Sequence, residues 1–148
     1  MSREWVDGDY LVTTDRTQID MDVVHRFLSE QSYWARWRSR DFNEQVVGES
    51  TRCYVLMHRP TKRPVGFARV LTDGAFYAWI GDVFVLEEHR GGRGKFLMYC
   101  VMDDLADVHR VMLDTRDAHG LYAQVGFRPL AHPERGMERI ADAVTPPS

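Results

Sequence analysis

Apolar positions along the chain follow two spacings, and the change from one to the other predicts its strands and helices. Alternating or continuous apolar runs are typical of strands, and such runs cover residues 9–14, 51–59, 64–72, 76–86, 110–115 and 127–131. Apolar residues three and four positions apart are typical of amphipathic helices, and this spacing covers residues 20–34, 39–50, 94–106 and 117–127. The predicted order of elements is therefore β-α-α-β-β-β-α-β-α-β.

Polar residues at the segment ends support these boundaries. Asp20 or Asp22 can cap the first helix, Ser39 the second and Asp117 the last, because short polar side chains accept hydrogen bonds from the free N–H groups of a helix. The dipeptide at 73–74, Asp-Gly, favours a two-residue hairpin turn. Each cap and turn is thus a local prediction that a structure can check.

The order of elements predicts one α+β domain over residues 1–148, with a core at about 9–131 and a frayed C-terminal tail. We expect a mixed sheet with helices on both sides, which makes three α/β/α layers. The strands on either side of the 94–106 helix should be parallel, because a helix connects them.

Composition and charge narrow the functional classes. The net charge of −3 argues against a general nucleic-acid binder, whose surface is basic. The N-terminus lacks the apolar core of a signal peptide, and the longest apolar stretch is too short to span a membrane, so we expect a cytoplasmic protein with no membrane or nucleic-acid partner. Cys53 and Cys100 lie in apolar segments and are interpreted as reduced core residues.

The segment "EEHRGGRGKFLM", residues 87–98, places a glycine-rich turn between a strand and a helix. This arrangement is typical of phosphate binding, because the free N–H groups and the dipole of a helix N-terminus attract anions. A P-loop is excluded, since Phe96 stands where a magnesium-binding hydroxyl is needed and His89 where the first glycine belongs. A dinucleotide-binding fingerprint fails on spacing. A short arginine–glycine patch for nucleic acid and a plain surface turn remain open.

The stretch "DVFVLEEHRGGRGKFLM", followed by "TRDAHGLYAQVGF", resembles the GNAT superfamily of N-acetyltransferases. The resemblance covers roughly residues 9–131. It implies a mostly antiparallel mixed sheet with a splayed parallel pair at the acetyl-CoA site. It also implies transfer of an acetyl group from acetyl-CoA to a primary amine of a small molecule or peptide, by direct attack. The alternative is a non-catalytic acyl-CoA-binding or protein-interaction module on the same fold.

The resemblance also implies which residues bind acetyl-CoA. The strand before the turn would pair with the pantetheine arm, and the turn would hold the pyrophosphate. The turn is one residue shorter than the family pattern, so either His89 or Arg90 takes the position of the usual glutamine or arginine; we expect Arg90. The predicted cofactor-binding residues are Val83, Phe84, Val85, His89, Arg90, Gly91, Gly92, Arg93, Gly94 and Lys95.

The sequence also suggests residues for catalysis and for acceptor binding. Tyr122 matches the family position whose hydroxyl faces the CoA sulfur and is predicted to be the general acid, whereas a packing role is its alternative. Asp82 is predicted to act as a general base through water, or else to be a hydrogen-bonded carboxylate within a splayed strand. The predicted acceptor-pocket residues are Tyr33, Trp34, Trp37 and His119.

The aromatic residues with arginine neighbours in 33–40 have two interpretations. At least one tryptophan packs in the core, or the aromatic residues form a pocket rim with cationic neighbours, which would favour an acceptor that carries a carboxylate as well as an amine. No set of His, Cys, Asp and Glu has metal-ligand spacing, so acetyl-CoA is the only cosubstrate expected and no metal. The sequence allows either a monomer or a homodimer.

Overall fold

A computed structural model of the protein describes residues 1–142, and these contain six strands and four helices. The strands are β1 (Glu4–Asp7), β2 (Tyr10–Thr13), β3 (Arg52–His58), β4 (Arg63–Thr72), β5 (Tyr77–Val85) and β6 (Arg110–Met112). The helices are α1 (Met21–Glu30), α2 (Arg40–Gly48), α3 (Arg93–Asp104) and α4 (His119–Ala123). Short 3-10 turns lie at Arg16–Gln18, Glu87–His89 and Pro133–Arg135.

The strands form one sheet in sequence order, antiparallel throughout except for the parallel pair β5–β6. This confirms the predicted mixed, mostly antiparallel sheet and its parallel pair. The β5–β6 pairing ends at Trp79 opposite Met112. The second half of β5, residues 80–85, therefore continues beyond its partner and leaves one edge open, which is the predicted splay.

Helices cover both faces of the sheet, so the three-layer prediction is confirmed. Strand β3 is buried on both sides, which explains its continuous apolar run. Its residues Tyr54 and Leu56 pack in the cluster that contains Leu97 of α3, whereas Val55 packs in the cluster that contains Phe27 of α1. Burying each such side chain contributes roughly 1.5–3 kcal/mol to folding.

The helix caps divide into two confirmed predictions and one wrong one. Asp20 accepts hydrogen bonds from the N–H groups of α1, and Ser39 does the same for Phe42 at the start of α2. Asp117 does not cap α4: the residue at the cap position is Ala118, without a side-chain cap. The helix is also only five residues long. The predicted helix over 117–127 was thus too long at both ends.

Two other local predictions were wrong, and one strand was not predicted. The hairpin turn after β4 is a wider loop over 73–76, because Asp73 Oδ1 accepts hydrogen bonds from the N–H groups of three later residues, at 2.8–3.1 Å. Residues 127–131 form no strand; Pro129 has no N–H to offer a sheet. Strand β1 was missed, since it is only four residues long, is mostly exposed, and pairs only with β2 at the edge of the sheet. Both cysteines are free and buried, as expected.

Candidate active site

A bulge in β5 lies next to the point where the sheet opens. The β4–β5 register shifts between Phe67 and Arg69, so that two β5 residues, Asp82 and Val83, lie opposite one residue of β4. Asp82 has a φ of 52°, in the left-handed region that non-glycine residues rarely adopt. Bulges bend a strand and increase its twist. This one begins at Asp82, three residues after the β5–β6 pairing ends at Trp79, so it helps to direct β5 away from β6.

A cavity of about 830 Å³ occupies the opening. Its walls come from the end of α1 and the segment after it, from β4 and β5, from the glycine turn, and from the loop and helix after β6. The cavity brings together most of the residues that the sequence singles out. The predicted residues that line it are Asp82, Val83, Phe84, Val85, Arg90, Gly94, Tyr122, Tyr33 and Trp34.

Seven predicted site residues do not line this cavity. Trp37 donates from Nε1 to the carbonyl of Trp34 at 3.0 Å and packs on the Phe42 ring, so it supports the pocket wall from behind. His119 is exposed on α4. The other five, all in or beside the glycine turn, are His89, Gly91, Gly92, Arg93 and Lys95. The structure thus does not place Trp37 and His119 with the acceptor-pocket residues.

The glycine turn brings the uncapped start of α3 close to the cavity. Gly91 and Gly92 have φ values of 104° and 92°, which a residue with a side chain rarely adopts. Gly92 is the N-cap and supplies no side chain, so the first N–H groups of α3 have no side-chain cap. Donors of this kind and the helix dipole suit an anion.

Arg90 and His89 point to different places. Arg90 lines the cavity, and its Nε donates to the carbonyl of Val85 at 3.0 Å. His89 is hydrogen-bonded through Nδ1 to the Tyr10 hydroxyl at 2.9 Å, and its ring lies beside that of His58. The guanidinium of Arg93 lies 4.4 Å from the Tyr10 ring centre, so it too is turned toward Tyr10. Of these three side chains, only Arg90 faces the cavity.

The end of β5 offers a free backbone donor to the cavity. The N–H of Leu86 donates to the Val65 carbonyl, on the β4 side. Because backbone groups of successive strand residues point to opposite sides, the N–H and carbonyl of Val85 point to the open side. The hydrogen bond from Arg90 to the Val85 carbonyl agrees with this direction. That leaves the Val85 N–H available to a ligand.

Tyr122 lies on α4 with its ring edge-on to Phe127, at 5.9 Å between ring centres. Its hydroxyl makes no hydrogen bond to any residue within 1–142. Burial, together with nearby Tyr33 and Asp117, raises the pKa of Tyr122 to about 12. The hydroxyl is therefore protonated at neutral pH and free to donate to a ligand.

Asp82 is the most heavily engaged side chain of the cavity. Its Oδ1 accepts from Trp34 Nε1, and its Oδ2 accepts from both Arg38 Nη1 and Arg69 Nε, each at 2.7 Å. Burial alone would raise the pKa of the Asp82 carboxyl, but the charges and hydrogen bonds of Arg69 and Arg38 outweigh it and hold this pKa below the usual value. A carboxylate in this state is a weak base. Its position instead suits it to fix the two arginines.

Tyr33 joins two distant parts of the wall. Its hydroxyl accepts a hydrogen bond from the Arg116 N–H at 2.8 Å, and the Arg116 guanidinium lies 3.8 Å from its ring centre. The Trp34 ring meets the Tyr33 ring edge-on, at 5.1 Å. The segment after α1 is therefore tied to the loop after β6 across the opening.

Arg69 was not predicted as a site residue, although its sequence context carries a signal. It interrupts the apolar run "PVGFARVLT", and a charged side chain in a buried strand needs a partner. Its partner, Asp82, lies in the bulge of the neighbouring strand β5. Nothing in the sequence reveals that pairing or its position in a cavity.

Within residues 1–142 no three or more His, Cys, Asp or Glu side chains are grouped so that they could hold a metal ion. The helices of this part of the chain also lack the length and apolar character needed to cross a bilayer.

Comparison with known proteins gives concordant matches. A sequence model of the Acetyltransferase (GNAT) family matches residues 20–127. The Gibberella zeae protein FG08082, whose name assigns it provisionally to the acetyltransferases, is 29% identical over 145 residues, covering 82% of this chain and 80% of that protein. A GNAT-family protein of Xanthomonas campestris pv. campestris has a crystal structure that matches with a TM-score of 0.81 at 41% identity, covering 89% of this chain and 93% of that one.

A third structure extends the match in fold alone. It is a GNAT-family acetyltransferase of Streptococcus pneumoniae TIGR4, with a TM-score of 0.66 at 22% identity. The match covers 96% of this chain and 98% of that one.

Proposed function

Because the chain belongs to the GNAT family of acetyltransferases, we propose that it transfers the acetyl group of acetyl-CoA to a primary amine of a small molecule or peptide. The observation that carries the proposal is the meeting of two kinds of free backbone group at one cavity. The open edge of β5 lies along the cavity, and the uncapped start of α3 lies at its end.

The residues present fit acetyl-CoA. The pyrophosphate suits the N–H groups at the start of α3, because Gly91 and Gly92 carry no side chains that would block its approach. Arg90 adds a positive charge on the cavity side of the turn. The two amides of the pantetheine arm suit the open edge of β5 at Val83 and Val85, in the manner of an added strand.

The same residues suit the chemistry of transfer. The amine nitrogen attacks the thioester carbonyl carbon, the carbon–sulfur bond breaks, and the electron pair leaves on sulfur. The Val85 N–H is the donor proposed for the developing oxyanion. The Tyr122 hydroxyl donates a hydrogen bond to the departing thiolate. Because the pKa of Tyr122 is raised to about 12 and that of a thiol is about 8.5, full proton transfer from Tyr122 is uphill, so its contribution is hydrogen bonding and the thiolate takes its proton from water.

Loss of the amine proton is the remaining step. The sequence suggests Asp82 as the base, acting through water. Its lowered pKa and its three hydrogen bonds favour a positioning role instead, in which Asp82 holds Arg38 and Arg69 and the amine loses its proton to solvent. The pH dependence of an Asp82 variant separates these two roles.

Two measurements on the purified protein test the proposed function. Acetyl-CoA should raise the melting temperature, because a ligand of the native state stabilises it by mass action. A panel of primary amines should then release free CoA thiol, detected with a thiol reagent, together with acetylated amine, detected by mass spectrometry. Thermal stabilisation without thiol release by any amine would favour the non-catalytic acyl-CoA-binding module. Absence of any stabilisation would refute the acetyl-CoA site itself.

A further inference from the structure

Two arginines share one carboxylate inside the cavity. Arg38 comes from the segment after α1, Arg69 from β4, and both bind Asp82 on β5 at 2.7 Å. The side chains of Arg38 and Arg69 are only 13% and 12% exposed. Two cations and one anion leave this cluster with a net charge of +1. A buried positive charge of this kind is costly unless an anion compensates it.

The cluster also has unused hydrogen-bond donors. Within the described chain, the guanidinium of Arg69 has one hydrogen bond, from Nε to Asp82, so the N–H groups of its two terminal nitrogens are free. Nε of Arg38 is buried and has no partner among residues 1–142. Buried donors normally find an acceptor, and one left without a partner points to a missing water or ligand.

We propose that the acceptor carries a carboxylate in addition to its amine, and that Arg38 and Arg69 bind this carboxylate while Asp82 fixes their position. The proposal rests on the proposed acetyl transfer and names the class of its acceptor. A carboxylate suits the cluster better than a phosphate does, because one negative charge balances the net charge of +1, whereas a phosphate dianion would leave an excess. The planar guanidinium also matches the geometry of a carboxylate.

The rest of the cavity is consistent with this assignment. Phe27 and Trp34 line it beside the cluster and provide apolar walls for the part of the acceptor between its carboxylate and its amine. The other acidic residues of the lining, Asp114 and Asp117, are exposed on the loop after β6, where solvent screens their charges. Asp82 is thus the only buried acidic residue of the described lining, and the arginines already neutralise it.

The test compares amines that differ only in their carboxylate. Glycine, 4-aminobutyrate and L-phenylalanine are each paired with the corresponding carboxamide, and phosphoethanolamine is paired with ethanolamine. Binding to the protein saturated with CoA is measured by isothermal titration, and acetylation by kcat/KM corrected for the fraction of free amine. Charge-assisted hydrogen bonds predict that at least one carboxylate will be preferred over its amide by roughly 10- to 100-fold in both measurements.

Variants then assign the preference to the cluster. Arg38→Gln and Arg69→Gln should each reduce the ratio of carboxylate to amide toward one, while the stabilisation by acetyl-CoA is kept. Arg40→Gln is the matched control, because Arg40 follows closely in sequence but pairs with Asp22 and Glu44 on the surface; it should leave the ratio unchanged. The readout is the ratio of carboxylate to amide, and a general loss of stability or turnover lowers both values together. Such a loss therefore leaves the ratio unchanged.

The outcomes separate the acceptor class from the proposed function. The carboxylate site is overturned if each acid and its amide show equal affinity and equal kcat/KM while acetyl-CoA binding and amine acetylation are intact. The proposed acetyl transfer would then still stand. A larger preference for phosphoethanolamine than for any carboxylate also overturns the carboxylate site. Carboxylate-selective binding that depends on Arg38 and Arg69, without acetylation of any amine, supports the site and refutes the transfer. A ratio that survives both arginine variants overturns the assignment to these residues.

Discussion

At one end of the cavity the protein offers a ligand mainly its backbone, whereas at the other it offers charged side chains. The glycine turn and the open edge of β5 present N–H groups whose direction follows from local conformation. The Asp82 cluster presents guanidinium groups from two separate segments, fixed by one carboxylate from a third. The first end is local in sequence; the second is assembled from residues far apart.

The difference suggests how one fold could keep its proposed acetyl-CoA site while the proposed acceptor site changes. Backbone donors depend on the turn, the bulge and the strand edge, so a change in one exposed side chain hardly affects them. The cluster depends on three side chains that meet only in the folded protein, and replacing any one of them changes the charge of the pocket. Substitutions at the glycine turn should therefore change acetyl-CoA affinity, whereas substitutions in the Asp82 cluster should change stability and acceptor preference.

The largest effect is expected from Gly94→Glu, which should abolish the stabilisation by acetyl-CoA. The new carboxylate would stand at the start of α3, beside the proposed pyrophosphate, and repel it. A glutamate in the first turn is favourable for the helix itself, so the protein should stay folded. Titration calorimetry with acetyl-CoA measures the loss, and circular dichroism checks the fold.

Gly94→Ala is the control for this variant. A Cβ at position 94 would lie 3.5 Å from Leu121 Cδ2, which is an ordinary contact. The alanine variant should therefore keep most of its affinity. If the glutamate variant binds acetyl-CoA as the native protein does, the phosphate site lies elsewhere.

Tyr122→Phe should lower kcat by roughly 10²- to 10³-fold, the usual effect of removing a hydrogen-bond donor to the charge that develops in the transition state. Acetyl-CoA affinity and stability should change little, because only a hydroxyl without a hydrogen-bond partner among the described residues is removed. Since the pKa of Tyr122 is raised to about 12, the native pH–rate profile should show no loss of activity from this group below about pH 10. Native turnover in the variant would leave Tyr122 with a packing role only.

Asp82→Asn should lower the free energy of unfolding by ~3–5 kcal/mol at pH 7, because it leaves two buried arginines without their counter-ion. The folded-state pKa of Asp82 lies below its unfolded value of about 3.9. The stabilisation is therefore fully present above about pH 4 and is lost as the pH falls through the folded pKa, so the difference from the native protein should shrink at pH 3. Urea unfolding at both pH values measures this difference in the free energy of unfolding. Urea is uncharged and therefore does not screen the ion pairs.

The same variant distinguishes the two roles of Asp82 in catalysis. A general base predicts that the activity of Asp82→Asn recovers as the pH rises and the amine loses its proton unaided. A positioning role predicts a loss of similar size at every pH, which falls mainly on carboxylate-bearing acceptors. Asp22→Asn, which removes an exposed partner of Arg40, is the control and should change stability little.

A smaller effect is expected from Arg90→Ala, which should weaken acetyl-CoA binding about 10- to 100-fold, since a charge-assisted hydrogen bond contributes ~1.5–3 kcal/mol. His89→Ala should change this affinity little, because His89 faces Tyr10 and lies outside the cavity lining. Calorimetry on both variants at pH 6 and pH 8 measures the difference. The opposite ranking, with affinity rising as the pH falls, would assign the phosphate contact to His89.

Local chemistry allowed much of the fold to be predicted from the sequence. Asp20 and Ser39 cap their helices because capping involves only neighbouring residues. Predictions failed where the tertiary structure overrode a local preference. Asp117 has the chemistry of a cap, yet α4 begins only at His119. The segment 127–131 has the apolar character of a strand but forms none. Pro129 has no N–H to donate to a sheet, and the neighbouring strand β6 is only three residues long.

The strand, glycine turn and helix at the proposed acetyl-CoA end could be predicted from the sequence, because each depends on residues adjacent in the chain. The proposed acceptor end, in contrast, depends on the folded arrangement of distant segments. The bulge that gives Asp82 its left-handed conformation depends on the register with β4, and the partners of Asp82 lie 13 residues away at Arg69 and 44 residues away at Arg38. No local pattern specifies such a meeting, since it depends on how two layers of the fold pack. A glycine turn and a helix start are placed by the residues next to them in the chain, whereas a buried charge cluster is placed by the whole fold.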